Sequence, residues 1–439
     1  MALPQKRPAE SKETPSQTKR RKAPPILSQE ELNVLVLDAT KITGGEVNLR
    51  THMEEHGVAI IHGVASPAQV AKLQEFARSD LQALLTSAHA EKLSSPNLCQ
   101  GLKKNGERCR LHSETTGPGM ANRCLPLQMG AKFCKLHLTE SAEHEEAGKD
   151  FGHRVELSEW NTTAIRSLGL KGRLHARGLP QGRFAWACRL LPGVREIFRS
   201  LYPGEELVVG LDMPFFTAED QPVTALHPGP HVDQNTNIVS ERRYQSILYA
   251  WPADGNSSTT AVLPGSHLDL YANLLQDSKW PTDNHFVCLG TLSGQSAIVA
   301  NAAWKANARR VILPAGALLL WDSRMLHAGW IGGARLAQPV CWEPKSGRTE
   351  EARQRKIRFC VKGLRSSHSA VDGELHSVNG KDPVPLPITR IPSPIKGVSE
   401  CSVRSSIFPF PLLKHVDTKL AWSCEQPELL LDQRILKFL

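Results

Sequence analysis

Mainly β with flanking helices, organised as two facing sheets, is the class this sequence predicts, and three observations predict it. Residues 231 to 345 hold a succession of short β-rich stretches, "RRYQSILYAWPA", "TTAVLPGSHL" and "RRVILPAGALLLWDS", separated by Gly-Asn-Ser, Pro-Gly and Ala-Gly turns. Strands this short and this regularly punctuated suit a double-sheet jelly roll, a double-stranded β-helix of cupin-like form. Ahead of them, Ser66-Pro67 reads as an N-cap followed by proline at the first helical position, opening the helix "AQVAKLQEFARSDLQALL". Finally, His231-Val232-Asp233 lies 93 residues (234–326) before His327, a separation that a jelly roll tolerates because its first and last core strands are neighbours in space.

Composition bounds the possibilities. At 439 residues, 40% hydrophobic and 22% charged, the chain can bury a substantial core, and one large domain with appendages is expected. No apolar run approaches the roughly 18 residues of a membrane span, so no membrane partner is expected. The polar, basic beginning is not a secretory signal, and ten cysteines without one argue for reduced thiols or metal ligands. An intracellular protein is expected. Of the net charge of +9, residues 1–27 supply +5, with Lys6, Arg7, Lys12, Lys19, Arg20, Arg21 and Lys22 set against Glu10 and Glu13. That tail has almost nothing apolar to offset its ordering entropy, so disorder is expected there. Its two basic clusters read as a nuclear localisation signal engaging importin, against the blander reading of a solubilising tail. The expected location is nuclear, otherwise cytoplasmic, and not secreted.

Residues 28–95 form the first part of the domain. "LNVLVLDA" reads as a strand or buried turn, "LRTHMEEHG" as a short helix stopped by Gly57, and "VAIIHGV" as a β-branched strand. Residues 96–140 break the pattern: Cys99 and Cys109 bracket "QGLKKNGER", and Cys134 and His137 make a Cys-x-x-His pair. Thiolates and imidazoles in a set of four suit structural Zn(II), and a metal cross-link would let a segment poor in apolar residues fold. Cys99, Cys109, Cys134 and His137 are the ligands chosen, with His112 and Cys124 as competitors; a flexible basic loop is the plain alternative. Lys103, Lys104, Arg108 and Arg110 make this zinc-knuckle-like element a candidate contact for nucleic acid or chromatin. Residues 141–370 carry the rest of the domain: a helix near "NTTAIRSLGL", an aromatic-rich segment from Gly182, a helix after Pro192-Gly193, and the strand "ELVVGLDM". After about residue 370 the chain turns Pro-rich, an extended linker, with "PELLLDQRILKFL" as a short amphipathic helix docking on the body or a partner.

His231 and Asp233 are two apart, so on a strand they point to one side. With His327 they would present two imidazoles and a carboxylate on one face of an octahedron, the facial triad that holds Fe(II) and leaves three positions open for co-substrate and O2. A lone His-x-Asp is as readily a turn or surface feature, and the flanking motifs decide. "HVDQ", "LPGSH", "WDSRMLH", "RLAQPVCWEP" and "RQRKIRFCVKGLRSSH" occur in that order. In this, and in the helix, strand and long helix near the start, the chain resembles the phytanoyl-CoA dioxygenase-like (PhyH) family across about residues 45–95 and 175–370. The resemblance implies an Fe(II)/2-oxoglutarate-dependent dioxygenase, with His231, Asp233 and His327 on the iron.

The co-substrate's distal carboxylate calls for a cation inside the barrel, and arginine's planar fork grips carboxylates in bidentate fashion. Arg335 is the choice, Arg324 the runner-up, since adjacent Asp322 could occupy it, and Gln245 a further candidate for the inner pocket. His267, in the Pro-Gly-Ser-His turn, reads as a turn residue rather than a ligand. The family's halogenases lack the carboxylate so that chloride can bind, and Asp233 therefore favours hydroxylation or oxidative demethylation. The rival reading is a catalytically inactive jelly roll whose zinc knuckle and tail engage nucleic acid or chromatin. A lipid acyl-CoA hydroxylase fits poorly with the basic tail.

Overall fold

The computed structural model describes residues 23–94, 160, 179–218, 225–226, 229–282, 285–362, 364–371 and 438. The basic clusters of the tail, the zinc-ligand candidates Cys99, Cys109, His112, Cys124, Cys134 and His137, and nearly all of the Pro-rich extension lie outside these residues.

In chain order the strands are β1 Val36–Asp38, β2 Val58–His62, β3 Leu207–Val209, β4 Phe215–Thr217, β5 Ala225–Leu226, β6 His231–Val232 and β7 Tyr244–Tyr249. They continue with β8 Thr259–Val262, β9 Val287–Cys288, β10 Arg309–Arg310, β11 Leu318–Asp322, β12 His327–Ile331, β13 Arg335–Pro339 and β14 Trp342–Pro344. One sheet has the order β1-β2-β11-β7-β13-β4 and the other β10-β8-β12-β6-β9, with β5 also on β12; β3 and β14 form a separate pair. The β1–β2 pairing is parallel and gives the first sheet its mixed character. Among the described residues no helix is long and apolar enough to cross a membrane.

The core follows from the period-2 alternation of the strands. On β2, Ala59 and Ile61 join the helices Pro67–Ser94, Arg183–Leu190 and Pro192–Leu201 on the outer face of the first sheet. Val58 and Ile60 turn the other way, into a second core with Ile247, Tyr249, Leu319, Trp321, Ala337 and, from the facing sheet, Val262. A strand buried on both faces needs a nearly continuous apolar run, which "VAII" supplies, each large side chain contributing about 1.5–3 kcal/mol. The second sheet's outer face, with Val232, Ala261 and Ala328, is covered by the helices Asp269–Asp277 and Gln295–Asn307.

The expected boundaries hold at Ser66, whose Oγ accepts from Gln69 N–H at 3.3 Å while Gln69 Oε1 accepts from Ser66 N–H at 2.8 Å, a reciprocal cap. Gly57 ends the helix Leu49–His56 at φ 71°, in the left-handed region that glycine tolerates, and a Cβ there would meet the His267 ring at 2.3 Å. "LNVLVLDA" differs from its expectation. Ser28 and Glu31 make a full capping box, the helix Gln29–Leu35 propagates from it, and only Val36–Asp38 pairs as a strand. The aromatic-rich segment is the helix Arg183–Leu190, and the next helix begins on Pro192 itself rather than after Gly193. At the chain's end, Phe438 stacks edge-on against Trp342 (5.3 Å) and its carbonyl accepts from Val209 N–H at 3.0 Å, so this residue packs on the body.

Candidate metal centre

The strands β6 and β12 are antiparallel neighbours, and their register sets His231 directly opposite His327. The two rings lie 4.3 Å apart between centroids. Val232 points into the outer core, so Asp233, one residue on, returns to the face of His231; its N–H is held by the Ser323 carbonyl at 2.9 Å. Ligand atoms of His231, Asp233 and His327 all lie within 4.8 Å of one another, and the three side chains are buried.

What the rings offer is set from behind. His231 Nδ1 is 2.8 Å from the Gly229 carbonyl and His327 Nδ1 is 3.0 Å from the Met325 carbonyl. A carbonyl oxygen only accepts, so each Nδ1 carries the proton and donates it, leaving both Nε2 atoms as lone pairs. These lone pairs face a carboxylate: Nε2 of His327 is 3.1 Å from Asp233 Oδ2, and Nε2 of His231 is 3.8 Å from Oδ1. Asp233 Oδ2 is buried without a hydrogen bond. Three acceptors converging in a desolvated space fit a cation, and the set of two imidazoles and one carboxylate with open positions is the one Fe(II) oxygenases use. Burial, then the neighbouring His327, pushes His231 down to about 3, keeping it neutral.

Around the centre the walls are aromatic and polar. Phe286 lies 4.7 Å from the His231 ring and Trp321 5.1 Å from the His327 ring. Gln245 sits opposite Trp321 in the β7–β11 register, and Gln245 Oε1 and Trp321 Nε1 are both buried without a hydrogen-bond partner. Arg335 opens β13 on the face of Ala337, which belongs to the core between the sheets. Its guanidinium is buried, stacks 4.4 Å over Phe215 and donates to the Tyr249 hydroxyl at 3.0 Å. Arg324 is engaged otherwise: its Nε and Nη2 grip Asp322 at 2.8 and 2.6 Å, so the runner-up for the co-substrate is a structural ion pair. His267 is a turn residue, its Nε2 meeting the Glu54 carbonyl at 3.1 Å and its ring lying against Gly57.

Two residues whose sequence context points to no role also stand here, Asp212 and His368, the latter closing the "RSSH" motif. His368 Nε2 is 3.9 Å from Asp233 Oδ2, and its Nδ1 pairs with Asp212 Oδ2. Desolvation would lower this histidine, but the Asp212 carboxylate more than offsets that and raises it to about 9; Asp212 in turn is drawn down to about 2.

No protein-family model matches the chain, and no curated protein matches it. Solved structures similar to it include AviO1 from Streptomyces viridochromogenes Tue57, 14% identical over 69% of this chain and 94% of that one, with a TM-score of 0.35. EctD from S. alaskensis with bound Fe is 12% identical over 68% and 77%, at 0.32. The epimerase SnoN, in complex with Fe3+, alpha ketoglutarate and nogalamycin RO, is 12% identical over 68% and 83%, at 0.30. With TM-scores this low the likenesses carry no functional weight, and the case for chemistry rests on the geometry of the site.

Proposed function

We propose that this chain is an Fe(II)/2-oxoglutarate-dependent dioxygenase of the phytanoyl-CoA dioxygenase-like type, a hydroxylase or oxidative demethylase with a double-stranded β-helix core, working in the nucleus. The observation that carries the reading is the convergence of two Nε2 lone pairs and a buried, hydrogen-bond-free carboxylate oxygen within 4.8 Å. When bound, the ion would activate O2, whose four-electron reduction would draw two electrons from 2-oxoglutarate and two from the substrate, one oxygen atom leaving in succinate and the other in the product, with release of CO2.

The chain's own side chains do the rest. His231 and His327 present Nε2 toward the ion, and their Nδ1–H bonds to Gly229 and Met325 keep the rings from turning away. Asp233 supplies the negative charge and fills the position a halide would need. Arg335, pre-oriented by Phe215 and the Tyr249 hydroxyl, grips the distal carboxylate of the co-substrate. Gln245 and Trp321 offer polar atoms to whatever enters between them and the ion. Ile247, Leu319, Val262 and Met325 line the core between the sheets and exclude water. Full-length protein given Fe(II) and 2-oxoglutarate should release succinate, and Asp233→Ala should stop it; iron-loaded wild type that releases none contradicts the proposal.

Outside the described residues, we propose that Cys99, Cys109, Cys134 and His137 hold a structural Zn(II), and that the tail engages importin. Zinc content of the purified chain, before and after serine replacement of Cys99 and Cys134, tests the first.

A further inference from the structure

A third histidine stands against the carboxylate of the metal centre, and the surrounding chain is built to hold it there. Beyond the helix Glu350–Lys362, the segment 364–371 packs against β3 and β14, through Val208 on the one and Glu343 on the other. Ser366 is tied to Leu211 twice, its N–H donating to the Leu211 carbonyl at 3.2 Å and its Oγ accepting from Leu211 N–H at 3.0 Å. The Glu343 carboxylate accepts from Ala370 N–H (2.7 Å), Val371 N–H (3.0 Å) and the Ser369 hydroxyl (3.0 Å). Lys356, fully buried, bridges the Ala370 and Val209 carbonyls at 2.8 and 2.6 Å. The segment also passes close to Gly210, where a Cβ would meet the His368 carbonyl at 3.0 Å.

His368 is what this clasp delivers. It is only partly covered, with 32% of its side chain exposed, yet both ring nitrogens face carboxylates, Nδ1 that of Asp212 and Nε2 that of Asp233. Asp212 is itself fixed: its Oδ1 accepts from Met213 N–H at 2.7 Å, and its carbonyl accepts from buried Arg189 and from Gln338. A buried Lys and a buried Glu spent on holding one loop, and a buried Arg on holding the Asp212 backbone, are costly unless their positions matter.

We propose that His368 is a positioning residue for the metal centre: seated on Asp212, it fixes the orientation of the Asp233 carboxylate. His368 does not belong to the ligand cluster, which comprises His231, Asp233 and His327 among the described residues. The inference rests on the reading of those three as metal ligands. Supporting groups of this kind typically change metal affinity by roughly 10–100-fold when removed.

The experiment is anaerobic titration of the metal-free full chain with Co(II), followed by its visible absorption, for wild type, His368→Ala, Asp212→Asn and the double variant. Wild type should bind at the triad with a spectrum that Asp233→Ala abolishes; if it does not, the metal-centre reading fails and with it this one. Given that binding, each single variant should weaken affinity by roughly 10–100-fold and change the spectral envelope. The double variant should be no weaker than His368→Ala, because Asp212 acts through His368. Single variants with wild-type affinity and spectrum, or losses that simply add, overturn the proposal. Asp212→Asn keeps the side chain's shape and answers the question should His368→Ala fail to fold.

Discussion

His231 and His368 stand against the same carboxylate and are opposites. Behind His231 is a backbone carbonyl, at 2.8 Å; behind His368 is the carboxylate of Asp212. A carbonyl takes the Nδ1 proton but carries too little charge to hold a second proton on a buried ring, so His231 is pushed down to about 3 and offers a lone pair. A carboxylate stabilises the doubly protonated ring, so His368 is raised to about 9 and offers an N–H. The same side chain becomes a ligand or a support according to the atom behind it.

The largest effect that can break this contrast is loss of a ligand. Asp233→Ala or His327→Ala should abolish both the triad's metal binding and succinate release, measured as iron content and product on the same sample. Retained iron at full stoichiometry would remove His231 from the ligand class and erase the comparison. Next is the co-substrate's anchor: Arg335→Leu should raise the KM for 2-oxoglutarate by about 10–100-fold, the range expected for losing charge-assisted hydrogen bonds. Arg335→Lys should recover only part, because an ammonium lacks the planar fork.

The third test is pH. In metal-free protein, the ion pair of His368 contributes stability that is complete below pH 6.5, the ordinary histidine value, and is lost as pH rises through about 9. His231, depressed and neutral, works the other way: stability falls as pH drops from 6.5 toward about 3, since the unfolded chain takes up a proton there and the folded one does not. Denaturant unfolding across pH should therefore show both limbs, and His368→Gln should flatten the alkaline limb alone. The smallest effect belongs to Trp321→Phe, which keeps the ring against His327 but deletes the orphaned N–H; a shift of at most about tenfold in 2-oxoglutarate affinity is expected, read by calorimetry. His267→Gln should leave that affinity unchanged.

Local pattern made the ligand-type residues legible. His231 and Asp233 are two apart, so strand periodicity puts them on one face, and His327 begins a strand that a jelly roll returns to the same place. Arg324 was readable as doubtful because Asp322 is two residues away. Asp212 and His368 are separated by 155 residues, and no periodicity links them; only the clasp from Glu343 and Lys356 brings them together. Trp321 escaped for another reason, since a tryptophan on a buried strand looks like core until its N–H is found without a partner. The helix Gln29–Leu35 shows the same limit in the fold: "LNVLV" has strand-like composition, and the capping box at Ser28 outweighs it.

The most direct test counts ferrous ions per chain under anaerobic conditions, in wild type and Asp233→Ala, and then admits O2 with 2-oxoglutarate present. Wild type should hold one more iron than the variant, and it alone should release succinate. Equal iron in both proteins, with no succinate from either, would contradict the metal centre on which the whole account stands.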